Sequence, residues 1–169
     1  MKWTRAPGLI VIGILGCGDP TAACPLDRLT KIASESLKGL HRKEEGISEV
    51  ISTEGGRWEI YHRRNGTLHS IVRTDLGETG RGEIRASFVT PDEFVIVATT
   101  VRYKMPIPNK WAGISSTEST RYFFCRDLVY IPASLGDDAS AAQALADAKE
   151  LRSSFFDASE IASYLKGRK

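Results

Sequence analysis

Apolar residues recur at helical spacing at Leu26, Leu29, Ala33, Leu37 and Leu40, behind a proline at position 25 that suits a first helical turn. The pattern ends at Gly46 and predicts one amphipathic helix. From Val50 the period changes to that of strands: residues 58–64 alternate, Asn65-Gly66 is a strong hairpin signal, and residues 68–74 alternate back. Further strands are predicted over 84–90, 94–103, 121–125 and 128–131, with turns at Pro91-Asp92 and Arg126-Asp127. In the last third Ser140 and Gln143 have capping-box spacing, Leu145, Ala148, Leu151 and Phe155 share one face, and Asp157 to Glu160 repeats the start signal for a short terminal helix. The expected fold is therefore α+β: a curved antiparallel meander of about six strands, with an N-terminal helix and C-terminal helices packed on one face, because such sheets commonly leave the other face to solvent.

A different pattern occupies the start. Lys2 and Arg5 precede the apolar run from Leu9 to Leu15, which is shorter than the roughly 20 residues needed to span a bilayer and predicts an export leader. Ile14-Leu15-Gly16-Cys17 resembles the lipobox of bacterial lipoproteins, and the resemblance implies cleavage before Cys17 and acylation of that cysteine. The organisation is then a leader over 1–16, a tether over 17–24 and a single α+β domain over 25–169. A cut after Ala23, with Thr21 and Ala23 as the small residues, is the alternative and gives a soluble secreted product; an uncleaved apolar segment is the third. The expected location is the periplasm or the outer membrane, the membrane being engaged only through the lipid.

Processing changes the charge. The chain carries 23 basic and 21 acidic residues; loss of Lys2 and Arg5 leaves 21 of each, and a neutral exported protein is a poor nucleic-acid binder. Of the cysteines, Cys17 is consumed by lipid or lost with the leader, which leaves Cys24 and Cys125 to form a disulfide in a compartment that permits one. Such a bridge would stabilise by roughly 4 to 5 kcal/mol at most on chain-entropy grounds. Two unpaired thiols are the alternative.

The run Glu54 to Tyr61, then Gly77 to Ile84, Val101 to Ile107 and Tyr122-Phe-Phe resembles uncharacterised secreted or lipid-anchored bacterial β-meander proteins over residues 54–131. That likeness implies the fold and no activity.

Candidate chemistry is sparse. A two-residue turn at Asn65-Gly66 would set His62 opposite His69, Ile60 opposite Ile71 and Trp58 opposite Arg73. Two imidazoles fall short of the three or four ligands that zinc takes, with His41 expected on the helix surface, so no metal and no cofactor is expected. Trp58 and Arg73 invite a cation–π contact of about 0.5 to 1 kcal/mol. The glycine-rich segment Gly77 to Glu83 lacks both phosphate-loop patterns and precedes a strand, which makes it a turn. No short nucleophile or metalloprotease motif is present, so no catalytic residue is assigned. The connection 104–117 is long, stiffened by Pro106 and Pro108, and carries Trp111 either as a plug of the sheet or as an anchor. Arg102, Lys104, Lys110 and Trp111 are the candidate partner-binding residues. The expected function is a non-catalytic exported envelope protein of the inhibitor, immunity or accessory-subunit type, with a protein partner. A cell-wall or carbohydrate hydrolase using Glu78 and Glu83 is one alternative. A carrier of a small apolar ligand is another.

Overall fold

A computed structural model describes residues 9–12, 24–48, 54–104, 113–132 and 138–157. The elements run β1 (Leu9–Ile12), α1 (Leu26–Ser34), β2 (His41–Ser48), β3 (Gly56–His62), β4 (Leu68–Gly77), β5 (Gly80–Thr90), β6 (Glu93–Tyr103), β7 (Ile114–Cys125), β8 (Leu128–Pro132) and α2 (Asp138–Phe156). All strands described join one open antiparallel sheet in the order β1-β8-β7-β6-β5-β4-β3-β2. The six-strand meander expected from the sequence is β3 to β8, and the fold is α+β. Three boundaries differ from expectation. The first helix stops at Ser34 and residues 41–48 form a strand, so the apolar spacing that included Leu37 and Leu40 overran the helix. β7 starts at Ile114 rather than near 121. Part of the N-terminal apolar run, Leu9–Ile12, pairs along β8 as an edge strand.

The helices do not share a face, which corrects the expectation of one covered side. Val95 and Ile96 are adjacent, both fully buried, and point to opposite sides. On one side Ile60, Ile71, Ala86, Phe94, Ile96, Phe124 and Val129 meet Ala144, Ala148 and Phe155 of α2. On the other Val95, Phe123, Cys125 and Tyr130 meet Leu29 and Ile32 of α1. The signal lay in the unbroken apolar runs Phe94-Val-Ile-Val97 and Tyr122-Phe-Phe-Cys125: strands covered on both faces lose the polar half of the alternation. The alanines of α2 let it approach the sheet closely, and Phe94 and Phe124 stack with centroids 4.8 Å apart beneath it. Each fully buried side chain of this size stabilises by about 1.5 to 3 kcal/mol.

Cys24, just before α1, is joined by a disulfide to Cys125 at the end of β7, with Cα atoms 5.7 Å apart across 101 positions. That separation is ordinary for a disulfide. The bridge fits an oxidising, exported location. No helix among the described residues is long and apolar enough to cross a membrane.

Candidate functional site

The β3–β4 hairpin shows how local chemistry places side chains. Gly66 has φ +80°, Arg63 N–H donates to Thr67 O at 2.9 Å, and Asn65 Oδ1 accepts from Thr67 N–H at 3.1 Å. The turn is thus a three-residue loop with glycine in the left-handed region, not the two-residue turn expected. One extra residue, His69, is then inserted as a bulge, since Tyr61 pairs with Ser70 and His62 with Leu68. The two irregularities cancel. Trp58 faces Arg73 and Ile60 faces Ile71 as the sequence predicts, but His62 does not face His69.

The bulge turns His69 towards α1. Its Nε2 lies 3.0 Å from Glu35 Oε2 and its Nδ1 2.8 Å from Ser70 Oγ; Ser70 Oγ lies 2.8 Å from Ser87 Oγ, to which Arg85 Nε donates at 3.0 Å. With His69 neutral and protonated on Nε2, every donor points the same way, from Arg85 through Ser87 and Ser70 to His69 and Glu35. Burial lowers the His69 pKa; the hydrogen bond it donates to Glu35 opposes this, and the Arg63 cation adds to the lowering. Arg85 also donates from Nη2 to the carbonyls of Ile32 (3.3 Å) and Glu35 (2.8 Å), closing the C-terminal end of α1. A Glu–His–Ser sequence of contacts has the composition of a hydrolytic relay. Ser70, however, is fully buried beneath α1 and bonded to Ser87, out of reach of a substrate. Its evident work is to hold α1 on the sheet.

The other histidines are placed differently from expectation. His41 lies on β2, exposed and in register with His62, rather than on a helix. No three His, Cys, Asp or Glu side chains among the described residues gather as a metal site. Arg73 donates to Asp75 Oδ2 at 3.2 Å, and among the described residues the cation over aromatic rings is Arg152, 5.6 Å from Phe94 and 5.7 Å from Phe124. Gly77 and Gly80 close the β4–β5 hairpin, so the glycine-rich segment is a turn. Gly80 is required there because a Cβ would run into the Val101 carbonyl oxygen of β6. Glu78 sits exposed in that turn, Glu83 lies on β5 opposite Thr74, and neither lines the neighbouring groove formed by Asp75, Leu76, Arg81, Arg102, Tyr103 and Ser115.

Of the candidate partner residues, Arg102 is exposed on β6 opposite Ser116, and Lys104 follows β6 with its N–H bonded to Gly113 O at 2.8 Å. Cys17, Lys110 and Trp111 lie outside the described residues, as does all but Asp157 of the expected terminal helix. Residues 117–121 of β7 are exposed, as are Leu76 and Ile114. β7 pairs with β6 along its length but with β8 only over Phe123, Phe124 and Cys125, so among the described residues its second edge is open from Ile114 to Arg121.

A cleft of about 1260 Å³ opens at the opposite end of the strands, between the end of α2 and the β3–β4 and β5–β6 turns. Leu68, Phe88, Phe94 and Phe156 form its apolar wall, and Arg63, Lys149 and Arg152 bring positive charge to it. Sequence reasoning missed these cations, which are scattered over the hairpin and α2 and share no motif. The chain matches no protein-family model, and neither a curated protein nor a solved structure is significantly similar to it.

Proposed function

We propose that the protein is a non-catalytic exported envelope protein, cut before Cys17 with loss of β1 from the sheet and lipid-anchored at that cysteine, that binds another protein by accepting a strand along β7. The observation that carries this reading is the open edge from Ile114 to Arg121. An edge strand presents unpaired N–H and C=O groups, and strand addition is a recurring way of using them. The polar side chains of 115–120, including Glu118, favour a chosen partner over indiscriminate self-association. Arg102 and Lys104 stand at the same end and supply charge to the contact, with Lys110 and Trp111 from the adjoining connection. Such a protein is of the inhibitor, immunity or accessory-subunit type, and uses neither nucleic acid nor cofactor.

The test is affinity purification from envelope extracts. A stoichiometric protein should co-purify, and its binding should weaken at least tenfold in Thr117→Pro/Ser119→Pro and in Arg102→Ala/Lys104→Ala/Lys110→Ala. Cys17→Ser should move the protein from the membrane to the soluble fraction. Full affinity in both multiple variants places the interface elsewhere and removes this assignment.

A further inference from the structure

The cleft beside α2 is a second site, remote from the β7 edge. Its volume, about 1260 Å³, exceeds the roughly 300 to 1,000 Å³ usual for compact ligands, which leaves room for an extended chain. Its wall is aromatic and continuous with the core: Phe156 meets Phe94 edge-on at 5.3 Å and Phe88 at 6.1 Å. The charged groups around it are unbalanced. Among the described residues Arg63, Lys149 and Arg152 share the cleft with one carboxylate, Asp157, which already accepts a hydrogen bond from Ser153 Oγ at 2.6 Å. None of the three cations has a carboxylate within ion-pair distance among the described residues. Arg63 is held in place by donating to Leu68 O and Phe88 O, both at 2.9 Å, and to Thr67 Oγ1 at 3.4 Å, which leaves the rest of its donor fork for a ligand.

We propose that this cleft binds one long-chain carboxylate, its acyl chain lying on the half-buried Leu68 and Phe156 over the edges of the buried Phe88 and Phe94, and its head group held by Arg63, Arg152 and Lys149. The chemistry is complementary on both counts: aromatic surface removes the chain from water, and guanidinium groups match a carboxylate with paired hydrogen bonds. An uncharged chain would leave the charges of Arg63 and Lys149 unanswered, and a cationic amphiphile would be repelled.

Calorimetric titration of the purified protein with sodium dodecanoate, kept below micelle-forming concentration, tests this. Saturation at one dodecanoate per chain is expected, with binding weakened tenfold or more in Lys149→Gln/Arg152→Gln. Both positions are exposed; the lost contact of Arg152 with Phe94 and Phe124 should lower the melting temperature slightly, whereas Lys149→Gln alone should keep it and still weaken binding. Dodecyltrimethylammonium should show no binding. Equal binding of the two detergents, unchanged affinity in the variant, or no saturable binding overturns the proposal. Sedimentation with phosphatidylglycerol vesicles that needs Lys149 and Arg152, without dodecanoate binding, overturns it in favour of a membrane surface. These outcomes do not depend on the fate of the β7 interface.

Discussion

Glu35 and His69 are 34 positions apart, yet a 3.0 Å contact between them fixes the end of α1 to the bulge in β4. The contact is polarised by its continuation. Protonating His69 on Nδ1 would force Ser70 to donate to Ser87, which already accepts from Arg85, and would leave the Ser87 hydroxyl hydrogen without an acceptor in the chain of contacts.

Stability should therefore fall in mild acid. The folded pKa of His69 lies below the ordinary 6.5, so below that pH the unfolded chain binds the extra proton first. The contribution is complete above pH 6.5 and is lost as pH falls towards the depressed folded value, at no more than about 1.4 kcal/mol per pH unit. Urea unfolding at pH 7.5 and 5.5 should show the loss, and His69→Gln should reduce the difference. An identical pH slope in the variant assigns the titration to another group.

Gly80 and Gly82 make a paired prediction. A Cβ at Gly80 meets the Val101 backbone, which has little freedom to move, whereas one at Gly82 meets open space. Gly80→Ala should cost about 1 to 3 kcal/mol by overpacking, and Gly82→Ala well under 1. Thermal melts of the two variants decide it, and equal melting temperatures would refute the close approach of β5 and β6.

Removing the disulfide should lower the melting point substantially. The Cys24→Ser/Cys125→Ser variant loses up to about 4 to 5 kcal/mol on chain-entropy grounds. Non-reducing mass spectrometry of protein from its native compartment should find the linked peptides; alkylation of both thiols without reduction would contradict the bridge.

The meander was legible because its strands alternate and its turns carry Asn65-Gly66, Pro91-Asp92 and Arg126-Asp127. The register Trp58 to Arg73 was legible too, although for a reason the sequence conceals: the longer loop and the bulge at His69 offset each other. The polar chain under α1 was not legible, since no local spacing links Glu35 to His69 or Arg85 to the end of a helix fifty positions earlier. The unbroken apolar runs 94–97 and 122–125 signalled that both faces are covered, but which helix covers which face was not legible. Alternation announces a sheet with one dry side; a strand dry on both sides announces only that it is buried.

The link between Cys24 and Cys125 makes a covalent circle of everything from α1 through β7, with β1 outside it on the N-terminal side and β8 and α2 left as a C-terminal tail. A protease that nicks the exposed turn at Asn65-Gly66 opens the circle without releasing a fragment, whereas a cut beyond Cys125 sets the tail free. The cleft has one wall in each part: Arg63, Phe88 and Phe94 belong to the circle, Lys149, Arg152 and Phe156 to the tail. It is consequently the seam between the cross-linked portion and the tail, and whatever fills it bridges the two.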